Sequence, residues 1–181
     1  MLAGGARGVR LRTAWPADAA ALGAMHAASW AETYPGLVPD DLLAEMSDPA
    51  RRGEAWARIL AAPALPSGIL LAEDAEGIAG FASAGPARDP ALGASGEVTG
   101  LYVLRRAQRR GLATVLLGAA LRALRAAGHA DAGAWALDGN APAARFYAAS
   151  GAVAGATREE ARGPHRLRET AWLWTALSAR P

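Results

Sequence analysis

The sequence predicts an α/β domain: a mixed β-sheet with helices on both faces. Three observations carry this. The chain has 181 residues, enough for one ordinary domain that buries a core without disulfides or metals. Alanine accounts for 49 of them, which favours helices. The apolar period also changes along the chain: helical stretches come first, then a hairpin, then strand–helix–strand–helix–strand–strand. That order puts parallel and antiparallel neighbours in one sheet.

Gly- and Ala-rich residues 1–8 predict a disordered tail, and residues 9–181 a single domain. Val9 to Arg12 alternates as a short strand. Pro16 opens a helix from about Ala17 to Glu32, with Leu22, Met25, His26 and Ser29 on one face, and Tyr34-Pro35-Gly36 breaks it. A second helix runs from Asp40 to Met46. A third follows Ser47-Asp48-Pro49, a cap and first-turn pair, and carries Trp56, Ile59 and Leu60. Gly68 to Glu73 and Ile78 to Ser83 are strands joined by the turn Asp74-Ala75-Glu76-Gly77. Gly85 to Ser95, with its Pro, Gly and Asp, is a loop. Glu97 to Leu104 is the next strand. From Gly111 to Ala127 a helix keeps Thr114, Gly118, Arg122 and Arg125 in one polar stripe, so its apolar remainder packs on a sheet and a neighbour. Gly128 ends it. Asp131 to Leu137 is a strand, and Asn140 to Ser150 a helix closed by Gly151. Ala152 to Thr157 and Glu169 to Leu177 form a last strand pair around Gly163-Pro164.

Composition removes several chemistries. There is no Cys, which excludes disulfides, thiolate nucleophiles and Cys-held metals; three scattered His make no metal site, so no metal is expected. All 19 basic residues are Arg, so Schiff-base chemistry and a Walker-type loop are excluded for want of a Lys amine. The net charge of +2 is too small for a nucleic-acid binder, and the high isoelectric point of 9.6 reflects the Arg-only basic set. No apolar run reaches the roughly 20 residues of a membrane span, and the N-terminus has no signal-like apolar stretch. The expectation is a cytoplasmic protein, with no membrane or nucleic-acid partner.

The most informative segment runs from Val103 to Ala113, out of a strand, through a basic loop and into a helix. The first N–H groups of that helix lack internal partners and, with its dipole, form an anion site suited to a pyrophosphate. Gly111 and Ala113 admit a close ligand, and Arg109 and Arg110 add charge. Downstream, Asn140 caps a helix with Pro142 in its first turn, and Phe146 and Tyr147 follow.

Gln108, Gly111 and Ala113 match Gln/Arg-x-x-Gly-x-Gly/Ala. Asn140, Ala143, Phe146, Tyr147 and Gly151 match Asn-x-x-Ala-x-x-Phe-Tyr-x-x-x-Gly. In both, and in the Ser29-to-Pro39 segment, the chain resembles the GNAT N-acetyltransferase superfamily over about residues 9 to 177. It departs at Arg105, near where the family often has Pro, and at Ala152, where an aromatic is usual.

The resemblance implies a mostly antiparallel, splayed sheet and acetyl-coenzyme A as cosubstrate. Leu101, Tyr102 and Val103 would line the pantetheine arm, with a bulge in their strand. Gln108, Arg109, Arg110, Gly111, Leu112, Ala113 and Thr114 would hold the pyrophosphate, while Asn140, Ala143 and Phe146 face the cofactor from the other side. An amine would attack the thioester directly, with Tyr147 as general acid and Glu97 as general base; His26 and His165 are substitutes for the base. Trp30 and Tyr34, beside Glu32, Asp40 and Asp41, would receive a small or medium amine. The alternatives are a peptide amino terminus as acceptor or an idle, acetyl-CoA-sensing domain, as monomer or homodimer.

Overall fold

Seven strands form one sheet in the order β1-β2-β3-β4-β5-β7-β6, in a computed structural model that describes residues 8–62 and 68–177. The expected N-terminal tail lies, but for Gly8, outside the described residues. The strands are β1 (Arg10–Thr13), β2 (Gly68–Asp74), β3 (Gly77–Pro86), β4 (Gly96–Val103), β5 (Ala132–Leu137), β6 (Val153–Arg162) and β7 (His165–Trp174). The helices are α1 (Ala19–Thr33), α2 (Asp40–Met46), α3 (Pro49–Leu60), α4 (Leu112–Ala126) and α5 (Ala141–Ala149). All neighbours pair antiparallel except β4 and β5.

Two helical layers cover the sheet. Along β2 the faces alternate: Ile69 and Leu71 pack with Phe81, Leu22, Met25, Trp56 and Leu60 under α1 and α3. Leu70 and Ala72 face α4, whose Leu112, Leu116, Leu117 and Leu124 cover Ala82, Ala84 and Val98. Small residues set the spacing. A Cβ on Gly23 of α1 would lie 2.3 Å from the Gly53 nitrogen of α3, so the two helices touch through their backbones. Asp48 caps α3 as expected, accepting from the Ala50 and Arg51 N–H groups at 2.8 and 3.2 Å.

The final hairpin departs most from expectation. β6 runs to Arg162 and β7 starts at His165, so the strands continue through residues 158–168, where apolar alternation is lost. Cross-strand charge replaces it: Arg158 and Glu169 are direct partners and their side chains meet at 2.8 Å. The expected 85–95 loop also holds a short 3₁₀ turn, Pro90–Leu92, capped by Asp89. No helix among the described residues is long and apolar enough to cross a membrane.

The feature that makes a site is the parting of β4 from β5. They pair only at Gly96–Ala132 and Glu97–Gly133. Two residues later β4 has a bulge: Ser83 pairs Gly100 and Ala84 pairs Val98, leaving Thr99 as the extra residue. Its hydroxyl sits 2.6 Å from the Ser83 hydroxyl. Beyond it β4 bends away, and the sheet splays around a cleft.

Candidate active site

At one end of the cleft lies the loop between β4 and α4. Gln108 secures it: Nε2 donates to the Val103 carbonyl at 2.9 Å, and its backbone N–H donates to the Arg105 carbonyl at 3.2 Å. Arg105 is tied to α1, its backbone N–H donating to Glu32 at 2.7 Å. Arg106 is tied to the β2–β3 turn through Asp74 and Glu76. Arg106, bonding to Asp74, holds that carboxyl below its ordinary range. Arg109 and Arg110 are exposed and make no ion pair among the described residues.

Arg109 and Gly111 are both left-handed, with φ of 63° and 77°. The backbone N–H groups from Arg109 to Thr114 have no partner among the described residues; the first helical bond of α4 runs from the Val115 N–H to the Gly111 carbonyl. Alternating left-handed residues leading into an uncapped helix gather N–H groups into an anion-binding concavity. A Cβ on Gly111 would meet nothing within 4 Å, so glycine is required there by its φ and not by crowding within the chain.

Along the cleft wall, the Leu104 N–H donates to Ala79 of β3. Backbone direction alternates along a strand, so the N–H and C=O of Leu101 and Val103 face away from β3, toward the side that β5 has vacated. Tyr102 instead turns its backbone to β3 and its ring to Phe81, 5.3 Å away.

The opposite wall is α5. The Asn140 side-chain Oδ1 caps the helix by accepting from the Ala143 N–H at 3.2 Å, which leaves its amide N–H₂ for the cleft, and Ala143 lines the same wall. Phe146 packs into the core, 5.6 Å from the Tyr147 ring, and does not line the cleft. Tyr147 does line it, braced edge-on by Trp174 at 5.6 Å. No described residue hydrogen-bonds its hydroxyl. Burial raises its pKa above the ordinary phenol value, so it is a proton donor throughout the neutral range.

The cleft, about 150 Å³, continues to an end where the Trp30 and Tyr34 rings meet at 4.3 Å, tilted by 41°. Glu97 also lines it, but not as a solvated strand-end residue: it is 2% exposed and its carboxylate accepts three bonds from Arg88. Those are the backbone N–H and Nε to Oε2, both at 3.0 Å, and Nη2 to Oε1 at 2.6 Å. A carboxylate has about four lone-pair sites, so one on Oε1 remains.

Other expectations for this end are corrected. Glu32 serves Arg105, and the Asp41 carboxylate accepts from the His165 Nε2–H at 2.9 Å; neither they nor Asp40 line the cleft. His26 is walled in between two indoles, with the Trp30 and Trp56 N–H groups 3.2 and 3.1 Å from its two ring nitrogens. A neutral imidazole has one acceptor nitrogen, so one indole at a time is bonded. Burial pushes its pKa down to about 3, and neither His26 nor His165 lines the cleft. Sequence reasoning missed Arg88, Trp135, Arg158, Arg162 and Glu169, which all do. None had a signal within its own segment; the Arg158–Glu169 charge complementarity shows only once the two strands are known to face each other.

Residues 27–152 match the Acetyltransferase (GNAT) family. The chain belongs to that family. As a GNAT protein it is an acetyl-CoA-dependent N-acetyltransferase. An uncharacterized N-acetyltransferase, YuaI of Bacillus subtilis (strain 168), is 30% identical over 172 residues, 94% of this chain and 95% of the relative. Among solved structures, YncA of Salmonella typhimurium with its cofactor acetyl-CoA is 19% identical at a TM-score of 0.67, covering 96% of each chain. A ribosomal-protein-alanine N-acetyltransferase from Brucella melitensis is 21% identical at a TM-score of 0.67, over 91% of this chain and 98% of that one.

Proposed function

We propose that this GNAT enzyme acetylates a primary amine of small or medium size by direct attack on the thioester, with Tyr147 as general acid and Glu97 as general base. The observation that carries the reading is the meeting, in one cleft, of an unbonded Tyr147 hydroxyl, the Glu97 carboxylate and the vacated edge of β4.

Acetyl-CoA supplies an activated carbonyl and a thiolate leaving group when bound. The residues present fit it. Unpartnered N–H groups from Arg109 to Thr114 hold the pyrophosphate, helped by the free charges of Arg109 and Arg110. The outward backbone of Leu101 and Val103 takes the pantetheine arm as an added strand, and the Asn140 amide bonds it from α5. A backbone N–H near Val103 stabilises developing negative charge on the carbonyl oxygen. The Tyr147 Oη delivers a proton to sulfur. Glu97 accepts the ammonium proton through a water at its remaining Oε1 site.

The test is release of coenzyme A thiol from acetyl-CoA with a panel of amines, on wild type and on Tyr147→Phe. The variant keeps the packed ring, so acetyl-CoA stabilises it against heat as it does wild type, while kcat drops on the order of 10²-fold. An unaltered kcat removes Tyr147 from the chemistry.

A further inference from the structure

We propose that the acceptor carries an acid group beside its amine, an α-amino acid being the simplest case, and that Arg52 and Arg162 receive its carboxylate. This rests on the acetyltransferase reading above and names its substrate class.

The acceptor end is rich in arginine, and most of that charge is already spent. Arg88 is held by Glu97. Arg158 meets Asp89 at 2.7 Å, Glu169 at 2.8 Å and Glu160 at 3.5 Å, and lies over the Trp135 ring at 4.2 Å. Arg52 and Arg162 differ. Arg52, in α3, is half-buried and has no carboxylate within 4.0 Å among the described residues. Its Nε donates to the Met46 carbonyl at 3.0 Å and one Nη rests on the Met46 sulfur, which leaves the other Nη unpartnered. The guanidinium stands 5.8 Å from the centre of the Trp30 ring. Arg162, at the far end of β6, lines the cleft with Trp30 and Tyr34. Its one carboxylate contact, to Glu160, is 3.5 Å long, and Glu160 is shared with Arg158.

Arg52 reaches this aromatic corner from α3, and Arg162 lines the cleft there from β6. Burial above all lowers the pKa of Arg52 and the charge of Arg162 lowers it further, against Tyr102 and Glu45, which raise it. A half-buried guanidinium with no carboxylate in contact is costly, and a second cation nearby raises the cost. An anion between them relieves both. Arginine forks match a carboxylate in two parallel bonds, and Trp30 and Tyr34 offer apolar flanks to the side chain. The same charges repel polyamines and other multiply cationic acceptors. That reverses the expectation of an acid-lined aromatic pocket, because Glu32, Asp40 and Asp41 are elsewhere.

The experiment compares amino acids with their decarboxylated amines at saturating acetyl-CoA: leucine against isoamylamine, phenylalanine against phenethylamine, with a tripeptide alongside. Wild type is expected to show higher kcat/KM for the acid of each pair. In Arg52→Gln/Arg162→Gln the ratio of acid to amine falls about 30-fold or more, through KM, the scale of removing partners from a desolvated charge pair. Arg52→Lys/Arg162→Lys restores part of the ratio, since charge returns without the fork. Retained stabilisation by acetyl-CoA shows that the variants are folded. If wild type prefers the amine or the tripeptide, or if the ratio survives the double substitution, the carboxylate site is refuted and the acetyltransferase reading stands. If wild type releases no thiol with any of these compounds, both readings fall.

Discussion

The two ends of the cleft are built on different principles. The end we assign to the cofactor is made of backbone: N–H groups from Arg109 to Thr114 with no partner among the described residues, and the outward edges of Leu101 and Val103. The end we assign to the acceptor is made of side chains: Trp30 from α1, Glu97 from β4, Arg158 and Arg162 from β6, Glu169 from β7, and Arg88 from a loop, with Arg52 of α3 beside Trp30. Backbone recognition needs only local dihedrals, so short stretches of sequence specify it. A side-chain constellation needs several elements docked at once. The first end suits a ligand common to a whole family, and the second can change its specificity without disturbing the first.

The sharpest way to break this division is at Gly111. Gly111→Glu places a side chain at φ 77° and an anion at the pyrophosphate site, so thermal stabilisation by acetyl-CoA should vanish, while the acceptor end is untouched. Gly111→Ala separates the two causes. Its Cβ meets nothing within 4 Å, so it should cost stability of about 1–2 kcal/mol for the left-handed backbone and keep most of the binding. Full stabilisation in the Glu variant would mean that the pyrophosphate binds elsewhere.

Glu97→Gln probes the other end. The isosteric amide fits the buried site but no longer takes a proton, so acetyl-CoA binding stays while kcat near neutrality falls by about 10- to 100-fold. The rise of rate with pH moves to higher pH, because the neutral amine must then form without the base. A pH–rate profile that overlays wild type would assign Glu97 and Arg88 a purely structural ion pair.

The smallest effect concerns the floor beneath Trp30. Burial lowers the His26 pKa from 6.5 to about 3, so on acidification the unfolded chain takes up a proton before the native one does. Stability from this group is complete above pH 6.5 and declines as pH falls toward 3, by about 2 kcal/mol at pH 5. His26→Gln removes that slope between pH 6.5 and 5. The carboxylates held low by arginine, Asp18 and Glu73 by Arg12, act further down the scale. Urea unfolding at several pH values reads this directly, and an unchanged slope in the variant would place the acid sensitivity in another group.

Much of the fold was legible. Asp48 and Asn140 announce their helices because an N-cap is a local bond between a side chain and an N–H two or three residues on. The hairpin at Asp74 to Gly77 and the Gly128 stop are local for the same reason. The 158–168 stretch was not legible as strand. It is a sheet edge stabilised by charge across strands, and neither strand's own pattern reveals the partner.

The site divides along the same line. From the sequence alone came the proposal of an anion-binding loop at Gly111, the capped helix that carries Tyr147 behind Asn140, and the exclusion of thiol, Schiff-base and Walker-loop chemistry; each depends on residue identity and short spacing. Only the tertiary structure decided that Glu97 is buried under Arg88, that His26 is locked neutral between two indoles, that Arg52 lies against Trp30, and that Arg162 lines the same cleft as Trp30. Those facts follow from which faces of the layers meet. The meeting is governed by the Thr99 bulge, the parting of β4 from β5, and the contact of Gly23 with Gly53, distances that no single segment encodes.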